Sequence, residues 1–92
     1  MREDLGVSLS SLMSAYNDAR WYARKTGMME EGRVNRAWGY IMAGKVREKQ
    51  EQYRSTLTAC DCRDKEIRQM WCKHNIMLQI VAKAKRKENG RG

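Results

Sequence analysis

The chain has 92 residues, of which 41% are hydrophobic, and a formal net charge of +8. This length allows one domain with a small core, which gains stability from a cross-link such as a bound metal ion. The apolar stretches are shorter than the about 20 residues of a membrane-spanning helix. Residues 1–5 carry acids, Glu3 and Asp4, where a secretory signal would have an uninterrupted basic region. We therefore expect no membrane association.

The first predicted helix runs from Ser8, a suitable N-cap, to Gly27, a suitable C-cap. Between them, apolar residues recur at helical spacing: Leu9, Leu12, Met13, Tyr16 and Ala23. A second helix is predicted from about Arg33 to Gly44. Its apolar stripe, in which we expect Trp38 to pack into the core, is Val34, Ala37, Trp38 and Ile41.

The next segment, residues 45–59, has a weaker pattern. On periodicity alone, residues 46–54 could continue the second helix, because Val46 and Tyr53 stand among Lys, Glu and Gln. Residues 55–58 are richer in strand formers. The residues themselves therefore do not decide between a helix and a strand for this segment.

The last predicted helix starts near Trp71 or Cys72 and ends at about Lys87. It is apolar around most of its surface, so we expect it to contact other elements on more than one side. A cysteine at its N-terminus would meet free N–H groups and the positive end of the helix dipole, which favour a thiolate.

All three cysteines and the single histidine lie within fifteen residues, as Cys60-Asp-Cys62 and Cys72-Lys-His74. Four thiolate and imidazole ligands are the usual donor set of a structural zinc site. A disulfide bond is a weaker interpretation of these cysteines, because three cysteines leave one unpaired. We therefore predict one structural Zn²⁺ bound by Cys60, Cys62, Cys72 and His74.

The spacing Cys-x-Cys, spacer, Cys-x-His resembles the SWIM zinc finger. Residues 58–64 are similar to that family's strand-end segment, and residues 71–74 to its Cys-Lys-His helix start. Upstream, residues 33–37 and 44–46 resemble the short helix and turn that often precede the finger, and Tyr53 stands where the first strand carries an aromatic residue. The resemblance covers about residues 33–84.

The resemblance implies an α+β, mostly helical fold with N-terminal helices, a short β-hairpin and a C-terminal helix. The hairpin would consist of one strand within residues 46–54 and a second at 55–58. The implied organisation is an N-terminal helical extension (1–32), a SWIM-like domain (33–84) and a basic tail (85–92).

The same residues argue against an enzyme. Catalytic zinc sites usually keep three protein ligands and an open position, whereas four ligands are available here. No second histidine could act as a general base, and no glycine-rich phosphate loop is present. We expect neither catalysis nor a small-molecule substrate.

Basic residues are concentrated near the C-terminus, which suggests a phosphate-contacting surface. The predicted nucleic-acid-binding residues are Arg63, Lys73, Lys83, Lys85, Arg86 and Lys87. Trp21, Arg20 and Arg24 form a second possible surface, for a base or a protein. The alternative for the basic residues is a solvated helix end that complements the helix dipole.

Two functions remain open. One is binding of nucleic acid, with DNA favoured, which agrees with roles of the SWIM family. The other is a protein-interaction adaptor or inhibitor, for instance encoded by a phage or mobile element, that acts on a host protein or nucleoprotein complex. Free thiols with zinc indicate a reducing compartment, the cytoplasm, or the nucleus in a eukaryote.

Overall fold

The fold is described from a computed structural model of the chain, covering residues 5–27, 31–57, 59–61 and 71–89. These residues form four helices: α1 (Leu9–Thr26), α2 (Glu31–Met42), α3 (Val46–Tyr53) and α4 (Lys73–Asn89). The described ranges contain no strand. The predicted α+β class with a β-hairpin is therefore wrong, and this part of the chain is all-helical.

Both predicted caps of α1 are confirmed. The Ser8 side chain accepts a hydrogen bond from the backbone N–H of Ser11, and the backbone N–H of Gly27 donates to the carbonyl of Ala23. Gly27 has φ of 68°, a left-handed conformation that glycine adopts without a Cβ penalty. The first turn is also attached to the far end of α4, because the Glu88 carboxylate accepts from the Ser8 N–H at 2.6 Å and from the Ser11 hydroxyl at 3.0 Å.

The apolar stripe predicted for α1 is only partly correct. Leu12 and Ala23 are buried, but Leu9 and Met13 are exposed. Ala15 is fully buried in their place. Small side chains on this face let α1 lie close to α4.

The segment predicted as the first strand is helix α3. Glycine ends α2 as expected, since Gly44 has φ of 70° just after Met42. The sequence of α3 is then rich in Arg, Glu, Lys and Gln, which have high helix propensity. Val46 and Tyr53 are seven residues apart, so they lie on one face of a helix; Val46 is buried and Tyr53 is half-buried.

Helix α3 ends at a residue in the left-handed backbone conformation, not at a hairpin turn. Arg54 has φ of 47°, and the Ser55 N–H donates to the Gln50 carbonyl at 3.0 Å, which is the bond of a Schellman-type helix end. Of the predicted second strand, Ser55, Thr56 and Leu57 are described and lie in a loop. Position 58 is outside the described residues.

Helix α4 is the centre of the core and contacts α1, α2 and α3. This confirms that its wide apolar surface has partners on more than one side. The buried core residues are Ile41, Val34 and Ala37 from α2, Leu12, Ala15 and Ala23 from α1, Val46 from α3, and Ile76, Met77, Ile80, Val81 and Ala84 from α4. Helix α1, assigned to an N-terminal extension, thus shares this core.

The α1–α2 contact includes an aromatic stack. The rings of Tyr16 and Trp38 lie 4.6 Å apart with planes 13° from parallel, and the Tyr16 hydroxyl donates to Asn35 Oδ1 at 2.6 Å. Trp38 is partly buried against the core, as its position on the apolar stripe predicts.

Candidate metal centre

Three of the four predicted ligands come together in space. The ligand atoms of Cys60, Cys72 and His74 all lie within 4.8 Å of one another. His74 Nδ1 lies 3.5 Å from Cys60 Sγ and 3.9 Å from Cys72 Sγ. Cys72 and His74 are buried and Cys60 is half-buried. The fourth predicted ligand, Cys62, lies outside the described residues.

These spacings fit a metal ion with tetrahedral ligands. Zinc–sulfur bonds of about 2.3 Å and zinc–nitrogen bonds of about 2.0–2.1 Å at a tetrahedral angle place sulfur and nitrogen about 3.6 Å apart. The two sulfur–nitrogen distances here bracket that value. Both sulfurs approach the same ring nitrogen of His74, so that nitrogen is the one directed at the cluster. The cluster could therefore hold a metal ion.

Two segments supply the ligands. Cys72 and His74 lie at the start of α4, where the Cys72 carbonyl accepts the Ile76 N–H at 3.0 Å and so closes the first helical turn. Cys60 lies in the loop after α3. Negative charge is favoured at a helix N-terminus, which suits a thiolate at Cys72. A metal ion here would link the loop to the helix.

Asn75 connects these two segments through hydrogen bonds. Its Nδ2 donates to the carbonyls of Thr56 and Ala59, both at 2.9 Å. Its Oδ1 accepts the Cys72 N–H at 3.3 Å, as the third helical residue does in a capping box. Asn75 is completely buried, so its amide both caps α4 and holds the loop that carries Cys60.

The loop is also closed on itself. The Thr56 N–H donates to the Ala59 carbonyl at 2.8 Å, and the Asp61 N–H donates to the Tyr53 carbonyl at 2.9 Å. The buried Ser55 hydroxyl lies 3.2 Å from Cys60 Sγ, within hydrogen-bonding distance. These contacts hold the Cys60 side chain on the side of the loop that faces α4.

Aromatic rings orient the histidine. The His74 ring stacks on Tyr53 with centroids 4.2 Å apart and on Tyr40 with centroids 5.8 Å apart. The Lys49 ammonium lies over both tyrosine rings, at 5.4 Å from Tyr40 and 6.0 Å from Tyr53. Helices α2 and α3 therefore contribute to the site by fixing the imidazole plane.

Sequence reasoning missed Asn75 and Tyr40. The position of Asn75, three residues after Cys72 at a helix start, is a recognisable capping-box signal. Nothing local marks Tyr40, because its role depends on how α2 packs against α4.

The predicted nucleic-acid-binding residues do not form one uniform surface. Lys83 and Lys87 both pair with Asp18 of α1, at 3.5 and 2.9 Å. The hydrogen bond from Lys87, helped by the charge of Lys83, holds the pKa of Asp18 below its ordinary value. By contrast, Lys85 and Arg86 are exposed and form no ion pair with any residue the structure describes. Lys73 is half-buried, and Arg63 lies outside the described ranges.

The second predicted surface is divided in a similar way. Trp21 is 61% exposed, with the Lys25 ammonium 4.9 Å from its ring centroid. Arg20 and Arg24 instead face α2 and bind Glu31, with closest contacts of 3.2 and 2.8 Å. The Arg24 hydrogen bond, assisted by that of Arg20, lowers the pKa of Glu31. These arginines join α1 to α2.

Comparisons with known proteins found no relative. No family model matches the chain, and neither curated proteins nor solved structures gave a significant match. The resemblance to SWIM fingers therefore rests on the sequence motifs alone. No helix among the described residues combines the length and apolar character needed to span a membrane.

Proposed function

We propose that Cys60, Cys62, Cys72 and His74 hold one Zn²⁺ in a structural site, with the ligand spacing of a SWIM finger but, over the described residues, without its hairpin. The convergence of Cys60, Cys72 and His74 within 4.8 Å supports this proposal. Thiolate and imidazole donors suit zinc, and a fourth ligand from Cys62 would leave no open position for a substrate. We accordingly propose a role without catalysis.

In this arrangement, neighbouring side chains hold the ligands Cys60 and His74 in position. Asn75 holds the Cys60 loop against α4, and Tyr40 and Tyr53 set the plane of the His74 ring. A bound ion would supply a cross-link between loop and helix, so that metal binding becomes part of the folding free energy.

Native mass spectrometry of the purified protein tests the metal proposal. One zinc per chain is expected, falling to none in Cys72→Ser, and a Co²⁺-substituted sample should show the absorption bands of tetrahedral sulfur–nitrogen ligation. Cys62→Ser should weaken binding without abolishing it. Equal zinc affinity of Cys62→Ser and the unmodified chain would exclude Cys62 as a ligand.

We further propose that the protein binds nucleic acid, with DNA as the favoured partner, in the cytoplasm or, in a eukaryote, the nucleus. The observation that carries this proposal is the pair Lys85 and Arg86, which are exposed on α4 without an ion-pair partner among the described residues. In a chain of net charge +8, such cations are suited to contact phosphates.

The test compares two double variants of equal charge. Lys85→Gln/Arg86→Gln removes two cations that have no ion-pair partner among the described residues, whereas Arg20→Gln/Arg24→Gln removes two that bind Glu31. Fluorescence anisotropy with labelled duplex and single-stranded DNA is measured over a range of salt concentrations. The first variant should bind more weakly, with a duplex salt slope shallower by about 1.8, because each phosphate contact contributes about 0.9. Equal losses in both variants would refute the assignment to α4.

A protein partner is the second candidate function, favoured by the exposure of Trp21. A large aromatic side chain that is 61% exposed is a frequent anchor in protein interfaces. If an adaptor role is correct, Trp21→Ala should abolish partner binding with little dependence on salt, and the charge variants should have no effect.

A further inference from the structure

A cleft of about 270 Å³ lies between α1 and α4, apart from the metal ligands. Its floor is apolar and consists of Ala15, Ala19, Ile76 and Ile80. Its remaining walls are Asp18, Tyr22, Trp71, Gln79, Lys83 and Arg86. The volume is just below the range for small-ligand pockets, about 300–1,000 Å³, and suits a single planar ring.

Two aromatic rings line this cleft. Tyr22 and Trp71 lie 6.4 Å apart, with planes 28° from parallel. The Tyr16–Trp38 pair of the core is much closer, at 4.6 Å. Both Tyr22 and Trp71 are only half-buried, so the looser pair presents aromatic surface to the cleft.

The charge at the cleft is positive. Lys83 and Arg86 stand at its edge with Asp18 as the only acidic residue among the lining residues. Asp18 already binds Lys83 and Lys87, which leaves the exposed Arg86 guanidinium beside an aromatic, apolar cleft. This combination complements a ligand with a flat ring and an anionic group.

We infer that this cleft accepts one unstacked base of a single-stranded nucleic acid, which stacks on Trp71 and Tyr22 while its phosphate contacts Arg86. The inference rests on the proposed nucleic-acid-binding function and specifies its substrate class. A paired base in a duplex has both faces covered by its neighbours, whereas a single strand offers base faces to aromatic side chains without sequence preference. Because Trp71 directly precedes the ligand Cys72, loss of the metal should also weaken this site.

The test uses oligothymidylate as the single strand and a blunt hairpin as the duplex, with the zinc-loaded full chain. Tyr22→Leu removes a ring from the cleft, and Met13→Ala truncates an exposed apolar side chain of the same helix outside the cleft as the control. Tyr22→Leu should weaken oligothymidylate binding by about 5- to 150-fold, the range for loss of one stacked base. Duplex affinity and the salt slope should stay unchanged, and the control should match the unmodified chain.

Fluorescence of Trp71 gives a second readout that does not depend on the Tyr22 variant folding. In Trp21→Phe/Trp38→Phe, Trp71 is the only tryptophan, and oligothymidylate should quench its emission while the hairpin does not. Circular dichroism verifies that each variant is folded.

The outcomes distinguish failure of the nucleic-acid-binding function from failure of the base site. If the unmodified chain binds neither oligonucleotide, the nucleic-acid function and the base site both fail. If it binds both but Tyr22→Leu equals Met13→Ala and Trp71 is not quenched, only the base site is overturned.

Discussion

Asn75→Ala is the substitution that most directly tests how the metal ligands are positioned. The Asn75 amide makes three hydrogen bonds to backbone groups, donating to Thr56 and Ala59 and accepting from Cys72. Alanine cannot replace any of them. The change leaves the helix in place but removes two of the hydrogen bonds that hold the Cys60 loop to α4.

The expected loss follows from these bonds. An intramolecular hydrogen bond contributes about 1 kcal/mol net, so removing three costs about 3 kcal/mol. Total stability for a domain of this size is about 5–14 kcal/mol, so the variant should still fold. If most of this free energy stabilises the loop conformation that binds the metal, its loss lowers the zinc affinity by about 100-fold.

Competition with a chromophoric zinc chelator measures the affinity, and urea unfolding with and without zinc measures the stability. Gln79→Ala is the matched control, because Gln79 also donates from α4 to a loop carbonyl, that of Leu57, through an exposed bond of 2.7 Å. The control should lose little stability and no zinc affinity. Asn75→Asp should be no better than alanine, since a carboxylate oxygen would then face two carbonyl oxygens.

A loss of stability without a loss of zinc affinity would refute this reasoning. If Asn75→Ala unfolds at lower urea but binds zinc within threefold of the unmodified chain, Asn75 contributes to packing and does not position the ligands.

Three further predictions concern the scaffold. Cys72→Ser should lose zinc and loosen the C-terminal half, seen as lower helicity by circular dichroism; a fully folded metal-free variant would contradict the proposed site. Asp18→Asn should cost less than about 1 kcal/mol at pH 7, because the pair with Lys87 is partly exposed. Since the folded pKa of Asp18 is below 3.8, that contribution to stability is present above pH 3.8 and is lost as the pH falls through the folded pKa. The unfolding free energies of Asp18→Asn and the unmodified chain, measured in urea, should therefore converge in acid. A difference that stays constant with pH would argue against the ion pair. Ser8→Ala removes the side-chain cap of α1 and should lower the unfolding free energy by about 1 kcal/mol at neutral pH; no change would show that the Glu88 carboxylate suffices as a cap.

The local sequence correctly predicted those features that depend on neighbouring residues. Ser8, Gly27 and Gly44 mark helix ends through their own conformational preferences. Helix α4 was predicted from its continuous apolar pattern and begins within two residues of the expected start.

The first strand of the hairpin was wrong because it was inferred from the resemblance and not from the residues. The α3 segment has strong helix formers, with Val46 and Tyr53 on one face, so periodicity alone already allowed a helix. Burial of Val46 against the core then stabilises that helix.

The sequence by itself determined the donor types, the paired spacing and the helical start that brings Cys72 and His74 together, because these depend on residues less than one turn apart. Only the tertiary structure decided that Cys60 meets them, that Asn75 and Tyr40 support the site, and that Lys83 and Lys87 are ion-paired while Arg86 borders a cleft. Those features arise where helices pack, and packing joins residues whose separation along the chain carries no local signal.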